Sequence, residues 1–250
     1  VDTIANNLAN TNTTGFKKSK QVFNEYLTAA EKPPDVIQVG KVPSHIESFY
    51  DLQGSDKAYV NSAGTYTDFQ QGAVKHTGNT FDFAIEGKGF FEVLTPQGVR
   101  YSRDGSFKRS VDGELVTSRG FPVLSSGAGA PEGRRISLDS NNISVSYAGE
   151  VFSDGQPIGE LSVVEFTNKD ALKPSGMNMF ALNPVYNAAP QRSEAYQVHQ
   201  GHIESSNVNV VSEMTDMITA QRVFESTQQA IKAFDAMNSK LINEVPKVGR

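Results

Sequence analysis

Between Asn207 and Asn243 the chain runs without a glycine or proline, and its apolar residues recur with a period of 3.6. Met217, Phe224 and Ile231 repeat at seven, and Ala220, Thr227, Phe234 and Leu241 repeat at seven three positions later, which is an a/d seam. A helix of about 37 residues would be about 55 Å long, more than one compact domain needs. Its acids (Glu213, Asp216, Glu225, Asp235, Glu244) are balanced by Arg222, Lys232, Lys240, Lys247 and Arg250. Such a seam has to meet another helix, and the chain offers one candidate, its opening segment. There Val1, Ile4, Ala5 and Leu8 share a face, while Asn6, Asn7 and Asn10 lie on the other. Asparagine is a mediocre helix former, because its amide competes for backbone hydrogen bonds, so this cluster (with Asn12) wants a partner. Gly15 is a natural stop. A second short apolar stripe follows at Val22, Phe23, Tyr26 and Leu27 and ends at Lys32-Pro33-Pro34-Asp35.

Residues 1–30 therefore read as an N-terminal helical segment and 206–250 as a long C-terminal helix, the two pairing as a coiled coil. The opening segment is too short to cover the seam, and the uncovered length is expected to meet other subunits. Because the sequence opens inside a helical pattern at Val1, residues before it are expected, and a cleaved signal peptide is neither seen nor excluded.

Between these ends, over 31–205, the period changes to two. Phe81, Phe83 and Ile85 alternate with Asp82, Ala84 and Glu86, and Phe90 to Leu94 runs into Thr95-Pro96-Gln97-Gly98. Asp104-Gly105, Asp112-Gly113, Ala148-Gly149 and Asp154-Gly155 separate further short β-rich runs, and such pairs tolerate the positive φ of tight hairpins. No long helical pattern interrupts, which excludes a βαβ nucleotide-binding architecture. The fold class is α+β: an antiparallel all-β central domain flanked by terminal helices.

Several classes of function fall away. With 23 Lys+Arg against 28 Asp+Glu the net charge is −5, and no basic block is present to displace counterions from phosphates, so no nucleic acid is expected as partner. No apolar run approaches the roughly 20 residues that span a bilayer, so membrane insertion is not expected. The absence of Cys removes disulfides, thiolate metal sites and cysteine nucleophiles. His199-x-x-His202 has metal-like spacing only on a helix, and in a strand i and i+3 face opposite ways. Gly87-Lys88-Gly89 lacks the third glycine and following helix of a dinucleotide loop and reads as a β-turn. Ser125 to Ala130 is a flexible connector, without the Gly-x-Ser-x-Gly of a nucleophile elbow. Asp82 and Glu86 share a strand face and mimic a catalytic pair, which an exposed polar face explains equally well. Met214, Met217 and Met237 read as adaptable helix packing. No catalytic residue, metal ligand or cofactor is expected.

Four stretches carry a specific resemblance. Asn6-Asn7-Leu8-Ala9-Asn10-Thr11-Asn12-Thr13-Thr14-Gly15-Phe16-Lys17 resembles the N-terminal signature of the bacterial flagellar rod and hook proteins. Thr77 to Val93, around Gly87-Lys88-Gly89-Phe90-Phe91, resembles that family's central β motif, as does Tyr101-Ser102-Arg103-Asp104-Gly105-Ser106-Phe107 followed by Gly113 to Thr117. Gln200-Gly201-His202-Ile203-Glu204-Ser205-Ser206-Asn207-Val208-Asn209, running on through Met214 to Gln221 and Phe224, resembles its C-terminal signature. The stretches occur in the family's order and span almost the whole chain; Asp139 to Ala195 matches least.

The resemblance implies a structural subunit of the flagellar basal-body rod, exported through the flagellum's own apparatus without a cleaved signal peptide. Its terminal helices would pack as an inner tube with the β domain outside, and its partners would be copies of itself, other rod and hook proteins and the export apparatus. The length fits a rod protein better than the longer hook protein. Glu213 to Ile218 and the short 31–67 connector incline toward the proximal rod, while Gly87 to Phe91 is equally typical of the distal rod. Assembly residues implied are Asn6, Asn7, Leu8, Asn10, Gly15, Phe16, Asn207, Asn209, Met214, Met217, Gln221, Phe224, Ile231, Phe234 and Leu241. For the asparagines two readings stand together: hydrogen bonds between helix ends that fix axial register, or ordinary capping with Asn207 or Asn209 as N-cap. A hook-type or other axial flagellar protein is the alternative within the family, and a secreted β-domain binding module or adhesin is the reading from a different class.

Overall fold

The computed structural model describes the backbone of residues 1–27, 58–186 and 188–244, and the side chains of 1–22, 64–186 and 188–240. The Lys32-Pro33-Pro34-Asp35 stop, most of the 31–67 connector and the side chain of Leu241 lie outside the described residues. The described part is mostly antiparallel β with two helices, α1 (Asp2–Ala9) and α2 (Val210–Glu244). Contacts divide the chain into one unit of Val1–Ser19 with Thr67–Arg250 and a second of Lys20–Tyr66.

The second apolar stripe corrects the helical reading of residues 1–30. Ser19–Leu27 is a strand, β1, which pairs with β2 (Ala58–Thr67). Val22, Phe23 and Tyr26 are β-branched or aromatic, and such side chains favour a pleated surface over a helix.

The remaining strands are β3 (Val74–His76), β4 (Phe83–Gly87), β5 (Phe90–Thr95), β6 (Gly98–Ser102), β7 (Phe107–Arg109), β8 (Leu115–Thr117), β9 (Ile143–Val145), β10 (Glu150–Ser153), β11 (Gln156–Glu160), β12 (Val163–Glu165), β13 (Leu172–Pro174), β14 (Met179–Leu182), β15 (Gln191–Arg192), β16 (Tyr196–Gln200) and β17 (His202–Glu204). They form a six-stranded sheet in the order β13-β14-β6-β5-β12-β15, a three-stranded sheet β11-β10-β9, and the pairs β4-β16, β3-β17 and β7-β8. As the Asp-Gly signals predict, β10 and β11 meet in a two-residue turn, Asp154 and Gly155 at φ 49° and 79°. Asp104-Gly105 departs from that reading: it carries the chain from β6 to β7. Gly105 is needed because a Cβ there would lie 1.6 Å from the Phe83 carbonyl oxygen.

β5 explains how a chain with modest apolar content builds a core. Successive side chains of a strand point to opposite faces. Phe91 enters a cluster with Phe83, Ile85, Phe107, Leu115 and Leu161, while Phe90 enters a second with Tyr101, Val164, Phe166 and Phe180. Both faces of β5 are therefore buried. Where β4 leaves this core, the alternation predicted for Phe81 to Glu86 gives way to a run, with Phe83, Ala84 and Ile85 all buried and Glu86 exposed.

A buried polar junction between the chain ends and the β body

α1 is short for a local reason. Asn10 caps it: its backbone N–H donates to the Asn6 and Asn7 carbonyls, its Nδ2 donates to Asn6 O at 2.9 Å, and its Oδ1 accepts from the Thr13 hydroxyl. The chain then turns through Gly15, at φ +66°. The Gly15 N–H donates to the Glu204 carbonyl at 2.8 Å, and a Cβ there would fall 2.3 Å from the Asp104 nitrogen. Only glycine permits that approach of backbone to backbone.

The turn delivers Lys17 into the protein interior. Its ammonium meets Glu204 Oε1 in a short ion pair and donates to Gln70 O at 2.8 Å. The opposite oxygen of Glu204 accepts from Arg103 Nη1 at 3.1 Å, and Oε1 also accepts from the Gly72 N–H at 2.8 Å. Glu204 has 0 % of its side chain exposed. Arg103 also donates from Nη1 to the Ile85 carbonyl (3.1 Å) and from Nη2 to the Gly87 carbonyl (2.6 Å), and its guanidinium lies over the Phe90 ring. One carboxylate between two cations is what makes burying three charges tolerable. Burial still pushes both Lys17 and Arg103 below their ordinary values, desolvation outweighing the attraction of Glu204.

A second layer ties in α2. Asn7, fully buried on α1, clasps Ser19 by accepting from its N–H and donating to its carbonyl, both at 2.9 Å, and also donates to Glu213 Oε2 at 3.1 Å. Lys18 pairs with the other oxygen of Glu213. Asn207 Oδ1 accepts from the Lys18 N–H at 2.7 Å, and its amide donates to the Asp68 and Gln70 carbonyls. Thr14 donates to Asp104 at 2.7 Å, and Asn178 donates to the Thr14 carbonyl. Burial raises the Asp104 carboxyl above the usual carboxylate range, against the hydrogen bonds of Thr14 and the Ser106 N–H.

The asparagines so placed settle between the two readings differently at each position. Asn209 is the N-cap of α2, its Oδ1 accepting from the N–H groups of Val211 and Ser212 at 3.0 and 3.2 Å. Asn7 and Asn207 do bridge, though neither meets another asparagine: their partners are Glu213, Ser19, Lys18 and the 68–70 backbone. Asn6 is exposed, and Leu8 and Phe16 are half-buried, Phe16 O receiving the Asn207 N–H.

The α2 seam is in solvent. Met214, Phe224, Ile231 and Phe234 are exposed, Phe224 at 65 % and Phe234 at 63 %; Gln221 is exposed and Met217 half-buried. Eight residues of α1 reach about 12 Å, against about 52 Å for the 35 of α2, so the short helix meets only the start of the long one. The methionines expected as packing are thus corrected in part: Met214 and Met237 are half-exposed, because among the described residues α1 covers only part of the first turns of α2 and no helix lies against the rest.

Other candidates resolve more simply. Asp82 accepts from Thr77 and Asn79, Glu86 sits 2.7 Å from His199 Nε2, and the two acids do not form a pair. The reasoning that His199 and His202 face apart is overturned: Gly201, at φ +72°, reverses the chain, and the rings stand 5.8 Å apart with His76 4.8 Å from His202. Among the described residues no three His, Asp or Glu side chains are grouped to hold a metal. The residues that sequence reasoning missed are the charges, Lys17, Arg103, Glu204 and Glu213. Each lies inside a quoted motif, but nothing in a lone Lys or Glu announces burial.

Comparison with known proteins adds three family matches: flagella basal body rod protein over residues 1–17, the flagellar hook protein FlgE/F/G D1 domain over 84–153, and flagellar basal body rod FlgEFG protein C-terminal over 199–244. The junction draws its buried charges from all three matched regions. Among curated relatives, the flagellar basal-body rod protein FlgG of Agrobacterium fabrum is 32 % identical, with 96 % of this chain and 91 % of the relative covered. FlgG of Borreliella burgdorferi is 34 % identical over 95 % of this chain and 89 % of its own length. The rod protein FlgF of Caulobacter vibrioides is 32 % identical over 99 % and 92 %.

Proposed function

The chain belongs to the flagellar basal-body rod protein family, and from that premise we propose that it polymerises, through the exposed seam of α2, into the shaft that carries torque to hook and filament. It is a structural subunit of the rod and not an enzyme. The observation that carries the proposal is the contrast along α2. Its first turn is locked to the chain's own N-terminus through Glu213, and beyond that turn large apolar side chains stand in water. A contiguous apolar face of that kind marks an interaction surface. Coiled-coil pairing is then made with α2 and α1 of neighbouring subunits, and the β body forms the outer layer. A contact between unlike faces that does not close on itself gives a helical tube.

Export without a cleaved signal peptide, which the family resemblance implies, belongs to the same reading, and the seam adds to it that a helix which completes its packing only beside neighbours stays unassembled until it joins the growing end. A small tag inserted at the exposed Gly127–Gly129 connector tests the placement. In isolated basal bodies the tag is expected along the rod, and its absence there overturns the proposal. Where along the rod it falls decides the proximal position favoured by the resemblance.

A further inference from the structure

Two surface features of the β body are complementary in shape and charge. The first is a knob. The β7–β8 hairpin closes through Ser110-Val111-Asp112-Gly113, held by Ser110 N–H to Glu114 O (2.8 Å) and Gly113 N–H to Ser110 O (3.0 Å). Val111 at its tip is 103 % exposed, so no described residue of its own chain covers it. Turn tips favour Gly, Asn, Asp and Ser, each for a backbone reason that valine does not share. Asp112 beside it is also exposed.

The second is a socket of about 270 Å³ walled by Phe69, Phe90 and Phe166. Gly87 and Gly89, at φ +99° and +130°, bend the chain between β4 and β5 and hold Lys88 out at its mouth with 67 % of the side chain exposed. Lys169 lines the same cavity, and Arg103 lies over the Phe90 ring. Glu165, 3.9 Å from Lys88, is the one carboxylate among these lining residues. The socket offers an apolar wall beneath a cationic rim and suits a short apolar side chain next to a carboxylate. A hairpin tip enters such a cavity more readily than a side chain on the flank of a long helix.

We propose that the Val111–Asp112 knob of one copy seats in the Phe69/Phe90/Phe166 socket of a second copy, with Asp112 facing Lys88 and Lys169. Knob and socket are different surfaces, so the contact is head to tail, the kind of contact that extends an open polymer when its rotation does not close. It deepens the rod reading by naming an outer contact between subunits, independent of the α2 seam.

Cysteine cross-linking tests it cleanly, because the chain has no cysteine of its own. Full-length Val111→Cys is mixed with Lys88→Cys and oxidised, with Tyr147→Cys, another exposed position, replacing Lys88→Cys as control. A disulfide needs Cα atoms within about 7 Å. The knob–socket heterodimer is expected to exceed the control about tenfold, and equal yields overturn the proposal. Adding Asp112→Lys to the knob copy should lower the yield about five- to tenfold, and Lys169→Glu on the socket copy should restore it. A loss without restoration also overturns it. All these positions are on the surface, and unchanged circular dichroism shows that the variants fold. Because the assay uses two purified copies, a failed cross-link with the tag found along the rod rejects the socket alone, and the reverse pattern rejects the rod placement alone.

Discussion

Replacing Glu204 by glutamine leaves two buried cations, Lys17 and Arg103, with a neutral amide between them. Breaking a buried pair in this way costs roughly 3–5 kcal/mol. Urea unfolding of Glu204→Gln should show that loss, and a change below about 1 kcal/mol would mean the charges find water instead. Gly15→Ala acts at the same place through the backbone. Its Cβ would press on Arg103 and Asp104 at 2.4 and 2.3 Å from a positive φ, and a loss above about 2 kcal/mol is expected in the same measurement. Asp104 carries a pH dependence of definite sign. Its folded value is raised, chiefly by burial, so the folded state holds the proton more tightly than the unfolded one. Its contribution is therefore fully present below the ordinary carboxylate value of about 3.9 and is lost as pH rises through the folded value. Asp104→Asn, which still accepts from Thr14 and the Ser106 N–H, should be neutral to stabilising at pH 7 relative to the parent, with the difference vanishing in acid.

At the scale of elements, α2 separates what its cap does from what its seam does. Asn209→Ala removes the acceptor for two N–H groups and should cost about 1 kcal/mol of α2 stability, read by hydrogen exchange in its first turns. Phe224→Asp with Phe234→Asp should leave the isolated chain's stability within about 0.5 kcal/mol, because both rings are already in water, yet abolish self-association. Unchanged association would place the subunit contact elsewhere. The elements were legible to the degree that their signals are local. The heptad spacing of Met217, Phe224 and Ile231 marks α2, and the Asp154-Gly155 turn marks its hairpin, since each follows from residues close in sequence. Ser19–Leu27 misled because its stripe, Val22, Phe23, Tyr26 and Leu27, satisfies a helical spacing over too few residues to exclude a strand, and its pairing with β2 comes from far along the chain. The junction was hidden for the same reason: Lys17 and Glu204 are 187 residues apart, and burial of a charge depends on a partner that local pattern does not reveal.

In the whole molecule, both chain ends are fastened to one β body at one polar junction, and one end carries an apolar helix away from it. Glu213 on the helix meets Asn7 and Lys18, and the neighbouring Lys17 meets Glu204, so the start of the helix is tied into the β body by polar contacts. Low apolar content fits the proposed division, in which neighbours complete part of the apolar surface. The absence of cysteine, at first only a removal of chemistry, also means that no disulfide can cross-link subunits before they assemble. The central claim is that α2 builds the shaft. Its most direct test compares helicity and oligomeric state of the intact chain with one lacking Ser212–Arg250 under conditions that favour assembly. The account predicts long, helix-rich polymers from the intact chain and a folded monomeric β body from the truncated one; equal assembly by both would contradict it.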